Sequence, residues 1–271
     1  MIKSINYKIK DMQEWLKTIK LNRRTSLYEV EINICDVCNK SCPFCPRGNG
    51  YKPPHLNKYI SVRTIAEICK QLTKSYKGYI SLSGFGEPTL HPQIVEIIHI
   101  IQKLCPKCHI FVTTNGTNLD VIKDVEDIMI EISHIDLLRP EVLELLHSPY
   151  RLNEIYTDKI KGFNNRAGNV RDYLKEPLKQ CCNLPFYKMF IDINGDSLLC
   201  ASDWKRNKIM GNIYEETIYD IWNNGRYKNV RLNLLNNIRT GICSKCDCNG
   251  LKNGTELVEY WKKKYGCKRK S

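Results

Sequence analysis

Cys38-Asn39-Lys40-Ser41-Cys42-Pro43-Phe44-Cys45 is a CxxxCxxC loop that follows directly on an alternating apolar run, Leu27 to Ile34. The run reads as a strand that ends just before the cysteines. Three thiolates from one short loop can hold three irons of a [4Fe–4S] cube and leave the fourth iron without a protein ligand. A second reading pairs Cys35-x2-Cys38 with Cys42-x2-Cys45, and four such cysteines could close a zinc site. The loop alone leaves both readings open, and the decision falls to the rest of the chain.

The 271 residues carry 14 cysteines and a formal net charge of +13. The cysteines cluster in CxxC-type groups, in a chain too large to need disulfide staples, which points to ligation in a reducing cytoplasm. No apolar run reaches transmembrane length; the longest, Ile94 to Leu104, is interrupted by Glu96 and His99. Residues 1–24 are basic but lack the apolar core of a secretory signal. Part of the charge lies there and in the lysine-rich segment after Trp261, where a solvated, frayed tail is expected. Without aromatics interleaved in a recognisable motif, nucleic acid is not expected as a partner. An anionic small molecule such as a nucleotide-linked sugar suits the charge.

Strands and helices alternate after the cysteine loop. Ser61 to Tyr76 predicts an amphipathic helix with Ile65, Ile68, Cys69 and Leu72 on one face, and Pro92 to Leu104 a second, with Pro92 in its first turn. Gly78 to Ser83, His109 to Thr114 and Asp127 to Ser133 read as strands, with a short helix over Val121 to Glu126 and another over Glu141 to Leu146. The pattern implies a parallel α/β sheet or barrel, in which chemistry sits at the carboxyl ends of the strands. Cys38/Cys42/Cys45, Gly84-Phe85-Gly86-Glu87-Pro88 and Thr114-Asn115-Gly116 each follow a strand directly, so they are expected on one rim. Near Leu174 to Gln180 the composition changes. Cys181-Cys182 comes next, then Phe190 to Cys200 with an Asn194-Gly195 two-residue hairpin signal, and Cys243-x2-Cys246-x-Cys248. Cys105-x2-Cys108 has no partner pair nearby and reads as incidental. The histidines show no metal-ligand spacing.

Together these residues resemble the radical S-adenosylmethionine (SAM) enzymes that carry a SPASM/twitch auxiliary-cluster domain, over roughly Tyr28 to Cys248. The resemblance implies a partial (β/α)6 TIM-like barrel with a small C-terminal iron–sulfur (twitch) domain. The expected organisation is a basic N-terminal extension (1–24), the radical SAM barrel (25–175), the auxiliary domain (176–250) and a basic tail (251–271). It implies Cys38, Cys42 and Cys45 as ligands of the radical SAM [4Fe–4S] cluster, with Cys35 a bystander. Gly84, Gly86, Glu87 and Pro88 match the family's Gly-Gly-Glu-Pro motif at the methionine end of SAM, with Phe85 replacing the first glycine of the pair. Thr114, Asn115 and Ser133 are further SAM-side positions. Cys182-x12-Gly195-x4-Cys200 and Cys243-x2-Cys246 match the ligands of one auxiliary [4Fe–4S] cluster, with Cys181 and Cys248 as possible substitutes.

The implied chemistry is reductive cleavage of SAM to a 5′-deoxyadenosyl radical that takes a substrate hydrogen. The twitch-type spacing, with Arg166 in a glycine-flanked loop, most resembles enzymes that oxidise a secondary alcohol of a sugar or cyclitol. Arg166 would orient the alcohol or its neighbour. An epimerase or a peptide-modifying enzyme is the alternative, for which Cys248 is the candidate hydrogen donor. A flavodoxin- or ferredoxin-type protein would supply electrons. A zinc-stabilised nucleic-acid-binding protein would account for the charge and the cysteines but not for Gly86-Glu87-Pro88 or Thr114-Asn115-Gly116.

Overall fold

The computed structural model describes residues 27–52, 58–133, 151–153, 164–170, 174, 176–248 and 255–266. The N-terminal extension, the helix expected over Glu141 to Leu146, His134 and His147 lie outside the described residues.

Strands β1 (Glu29–Asn33), β2 (Tyr79–Ser83), β3 (His109–Thr114), β4 (Ile128–Ser133) and β5 (Arg151–Asn153) pair in parallel, in that order, from one side of β1. The sequence alternation explains the two faces of this sheet. Val30, Ile32, Ile80, Leu82, Val112 and Ile130 point outward and are almost fully buried. They pack on α1 (Val62–Leu72) and α2 (Ile94–Leu104), whose Ile65, Ile68, Leu72, Ile94, Ile97, Ile98 and Ile101 follow the helical period and share one core with them. Ser61 caps α1 by accepting from the Thr64 amide at 3.0 Å. Helix α2 begins at Ile94, with Pro92 ahead of it, not in its first turn. The segment expected as a helix over Val121 to Glu126 is a single 3-10 turn, Leu119–Val121, with Leu119 and Ile122 buried.

On the other side of β1 lies a strand from the auxiliary region. β6 (Lys188–Ile191) runs parallel to β1, with Glu29 opposite Lys188 and Ile32 opposite Ile191. β7 (Asp196–Leu198) and β8 (Ile209–Asn212) complete the order β5-β4-β3-β2-β1-β6-β7-β8. The compositional break near residue 180 is therefore not a break in the sheet. The β6–β7 hairpin also differs from expectation. Ile191 pairs with Ser197, the Asp192 amide donates to Asp196 and the Gly195 amide to Asp192, so the connection is wider than two residues. Only Gly195 in it has a positive φ, +82°, whereas a two-residue type I′ turn needs two.

Helices α3 (Ile218–Asn223) and α4 (Gly225–Leu235) follow β8, and α5 (Thr255–Lys264) occupies the segment read as a frayed tail. Val258 and Trp261 are buried in the core, and the Trp261 indole donates to Phe186 O at 3.0 Å. The Arg231 guanidinium is sandwiched between Trp261 (3.9 Å) and Trp222 (4.0 Å). The apolar i, i+3 pair inside the lysine run anchors the helix, and Lys264 extends over Trp261 to reach Asn223 at 3.0 Å.

His91, 2% exposed, carries a pH dependence. Its Nε2 faces Ile60 O at 2.8 Å and its Nδ1 accepts from the Gln93 amide at 3.0 Å, so the ring is neutral with the proton on Nε2. Burial lowers its pKa. The unfolded chain therefore binds the extra proton first, and stability is expected to fall as pH drops below about 6.5. Urea midpoints measured from pH 7.5 to 5.5 should fall less steeply for His91→Gln than for the parent; equal slopes would exclude His91 as the source.

Candidate active site

The inward alternation of the strands mixes polar side chains with the larger Tyr79, Phe111 and Met129. Glu29 and Glu31 on β1, Ser81 and Ser83 on β2, Thr113 on β3, Glu131 on β4 and Lys188 on β6 line a cavity of about 590 Å³. Ser81 donates to Glu29 at 2.7 Å, Ser83 donates to Glu31, and Lys188 bridges Glu29 (2.9 Å) and Glu31 (2.7 Å). Burial works against the Lys188 charge, but the two carboxylates outweigh it and raise its pKa. A larger cavity of about 1070 Å³ opens at the other end of β3 and β4, beside Cys105 and Cys108, and is lined by none of the expected site residues. Chemistry in parallel α/β sheets belongs at the carboxyl ends, where the smaller cavity opens.

That cavity brings together Cys38, Cys42, Cys45, Gly84, Gly86, Glu87, Thr114, Asn115, Ser133 and Arg166. Burial, then the neighbouring Cys45 and Cys38, pushes the Cys42 thiol up to about 12. Burial also raises Cys45, opposed by a backbone hydrogen bond from Arg47 and by the charge of Arg166. Three thiols crowded on one short loop are a donor set that a multinuclear cation stabilises as thiolates. The Asn115 amide lies 3.9 Å from the Cys38 sulfur and donates to Asn39 Oδ1 at 2.9 Å, which braces the loop from β3. Cys35 lies elsewhere: it is 1% exposed, packs in the main core and donates to Val37 O at 3.2 Å.

Gly86 is where two loops touch. A Cβ there would meet Cys35 O at 2.0 Å and Val37 O at 2.6 Å, and the Glu87 amide donates to Val37 O at 2.8 Å. Gly84 has φ +124°, outside the range of ordinary side chains. Phe85 between them is buried against Trp204 (4.5 Å) and Phe190 (5.0 Å), so the residue at the glycine position docks the loop onto the auxiliary region. Glu87 is 2% exposed. Its Oε1 accepts from Thr89 N (3.0 Å), Thr89 Oγ1 (2.7 Å) and Thr114 Oγ1 (2.6 Å), and its Oε2 accepts from Asn115 N at 2.7 Å. Oε1 is saturated, and Oε2 keeps capacity for an ammonium donor. Pro88 opens the 3-10 turn Pro88–Leu90, buried behind Glu87.

Cys182, Cys200, Cys243 and Cys246 gather beyond β7, and Cys248 stands among them. The Cys248 thiol hydrogen-bonds those of Cys182 and Cys246, raising both pKa values ahead of burial. Burial and Cys243 push Cys200 up to about 12, and burial pushes Cys243 up to about 11. The Cys181 thiol donates instead to Cys182 O at 3.7 Å, and burial raises its pKa against the charges of Lys262 and Arg239. None of these thiols lines the 590 Å³ cavity, so Cys248 is not placed to face a substrate there.

Sequence reasoning missed the connection between the two cysteine sets. Arg206 ion-pairs with Asp192 and, at 3.0 Å, with Asp36; it also donates to Tyr51 OH at 2.6 Å. Asn33 donates to Asp36 (2.9 Å) and Asp192 (2.8 Å) and accepts from Phe85 N at 2.9 Å. One network therefore fixes the end of β1, the first cysteine loop, the Gly84–Pro88 loop and the auxiliary loop together. These residues follow no period and no motif, so no local signal marks them.

The family model of the radical SAM superfamily matches residues 32–175, and that of the SPASM iron-sulfur cluster-binding domain matches residues 181–247. The S-adenosyl-L-methionine-dependent 2-deoxy-scyllo-inosamine dehydrogenase of Niallia circulans is 24% identical over 252 residues, covering 84% of this chain and 94% of that protein. The crystal structure of BtrN in complex with AdoMet and 2-DOIA superposes with a TM-score of 0.66 at 22% identity, over 82% of this chain and 93% of that one. Streptococcus suis SuiB bound to its precursor peptide SuiA gives a TM-score of 0.57 at 16% identity, over 96% and 76%. Among the described residues no helix is long and apolar enough to cross a membrane.

Proposed function

The chain belongs to the radical SAM superfamily, and from that membership we propose that it oxidises a secondary alcohol of a sugar or cyclitol to a ketone. The family and its SPASM domain bring SAM, a radical SAM [4Fe–4S] cluster and auxiliary iron–sulfur chemistry. When bound, these supply a carbon radical that takes a hydrogen from an unactivated carbon, and an acceptor for the second electron. Cys38, Cys42 and Cys45 would hold the first cluster. Glu87 Oε2 would take the SAM ammonium, with Gly84, Gly86, Pro88, Thr114, Asn115 and Ser133 around it. Cys182, Cys200, Cys243 and Cys246 would hold one auxiliary cluster, and Cys248 is a fifth thiol within reach of it.

The observation that carries this reading is the polar lumen directly below the cysteine loop. A closed α/β barrel fills its interior with branched apolar side chains. Here three carboxylates, a lysine and hydroxyls stand among the rings of Tyr79, Phe111 and Tyr187, a lining of polar groups set in aromatic walls that suits a polyhydroxylated ring. Arg166 at the rim would orient the reacting alcohol. The auxiliary thiols outnumber the four ligands a cube needs, so a substrate is not required to complete it. The dehydrogenase relative takes a small molecule, and the wide overlap with the peptide-bound SuiB keeps a peptide as the second reading. Electrons would come from a flavodoxin- or ferredoxin-type protein in a reducing cytoplasm.

Mass spectrometry of turnover mixtures in deuterated water tests the reaction. The expected product is about two mass units lighter than the substrate, formed with one SAM consumed per turnover. An isobaric product carrying deuterium, lost in Cys248→Ala, would replace oxidation by epimerisation.

A further inference from the structure

Five thiols meet beyond β7, where a cubic cluster takes four. Cys248 is in hydrogen-bond contact with the thiols of both Cys182 and Cys246, and it lies close enough to Cys200 and Cys243 for its charge to act on each. Cys181 does not join them, because its thiol is turned onto the Cys182 carbonyl.

The backbone from Cys246 to Cys248 presents two of these sulfurs to one place. It is extended at Cys246 (φ −95°, ψ 128°), and extended backbone puts residues two apart on one side and the residue between them on the other. Asp247 is that intervening residue. Its carboxylate accepts from the Asn165 amide at 2.6 Å, and its own amide donates to Asn165 Oδ1 at 3.3 Å. The Cys248 amide donates to the Cys246 sulfur at 3.4 Å, which keeps the two cysteines together. Arg239, 5% exposed, donates from Nη1 to Cys246 O at 3.3 Å and to Cys248 O at 2.7 Å, and from Nε to Gln180 O at 2.9 Å. Asn165 also holds Lys245 O at 2.9 Å. These clamps grip carbonyls and Asp247, so they hold the loop whichever of the two sulfurs binds metal.

We propose that Cys246 and Cys248 are alternative ligands for one iron of the auxiliary cluster, with Cys182, Cys200 and Cys243 as the three fixed ones. The proposal rests on the auxiliary-cluster assignment and is independent of the alcohol-oxidation reading. Cys182 and Cys200 come from separate segments and Cys243 from the 3-10 turn Gly241–Lys245, so each of them reaches the gathering from its own direction. Cys246 and Cys248 share one pinned stretch and one direction. Loss of either sulfur leaves the other to complete four-thiolate ligation, so the iron they share stays closed to substrate.

The test uses the full chain carrying Cys38→Ala, Cys42→Ala and Cys45→Ala, reconstituted anaerobically with iron and sulfide, so that only auxiliary iron is counted. Adding Cys246→Ala or Cys248→Ala alone should keep about four iron atoms per chain, with no three-iron paramagnetic signal after mild ferricyanide oxidation. Adding both, or Cys182→Ala alone, should leave one iron without a thiolate, so that iron is lost or the three-iron signal appears. Cys181→Ala is the control and should change neither readout. Should the starting variant hold no iron, the same additions to the parent chain give the answer by iron count, about eight for each single replacement at 246 or 248 and fewer for the pair. Iron loss or the three-iron signal in Cys246→Ala alone, or in Cys248→Ala alone, would overturn the proposal by making that residue a fixed ligand. A cluster that survives Cys182→Ala intact but not the double replacement would also overturn it, because any four of the five thiols would then suffice. Iron untouched by Cys182→Ala and by the double replacement would remove the auxiliary-cluster assignment itself. No substrate enters the measurement, so none of these outcomes bears on alcohol oxidation.

Discussion

Replacing Cys38, Cys42 and Cys45 together by alanine is expected to lower the iron of the reconstituted protein from about eight atoms per chain to about four, and to abolish SAM cleavage. The three thiols share one loop on the cavity wall, with Cys38 and Cys45 close enough to Cys42 to add to the rise of its pKa that burial causes. Glu87 and Asn115 meet that loop from β2 and β3. The second cysteine set lies outside the cavity, so its iron should survive the triple replacement. Cys35→Ala is the register control. Its thiol bonds to Val37 O inside the core, and the variant should keep both clusters and SAM cleavage. Iron analysis together with 5′-deoxyadenosine production decides the matter. Cleavage without the three thiols, or its loss in Cys35→Ala, would move the cluster to another set of ligands.

Arg206→Met should be the most destabilising single change outside the core. The guanidinium is 9% exposed and neutralises Asp192, fully buried, and Asp36, 1% exposed. Removing it strands two buried carboxylates, a change worth about 3–5 kcal/mol and a fall in melting temperature of roughly 10 °C. A structural role for the charge balance, and not for the side chain's volume, makes a second claim. Adding Asp36→Asn and Asp192→Asn to Arg206→Met should recover part of the loss, since the stranded charges are then gone. Calorimetry on the triple variant checks this; no recovery would assign the effect to packing against Phe85, over which Arg206 also lies at 5.0 Å.

The gathering of the candidate site on one rim was legible because its motifs are local. The Cys38 loop, Gly84–Pro88 and Thr114–Gly116 each follow a strand whose alternation is plain, and parallel pairing places the ends of such strands on one rim. What stayed hidden depends on distant pairing. Nothing in Lys188 to Ile191 says that it will run beside β1, so the continuity of the sheet across the compositional change near residue 180 is not legible in the sequence. Trp261 was obscured by surrounding lysines, although burial of one tryptophan is enough to dock a helix. Arg206 and Trp204 lie in an irregular loop, and only the fold shows that Asp36, 170 residues away in sequence, faces the former. Asn-Gly is a strong two-residue hairpin signal, yet Asp192 bonds both Asp196 and Gly195, so three residues, Ile193 to Gly195, make the turn.

The seam between β1 and β6 also limits how such an enzyme can be recombined. A chimera joined in the linker near residue 180 would exchange the strand that covers one edge of β1 together with Lys188, which neutralises Glu29 and Glu31. A foreign auxiliary module must therefore supply a matching strand and a matching cation, or the acceptor barrel is left with an open edge and two facing carboxylates. The graft also changes the cavity wall, because Lys188 lines it.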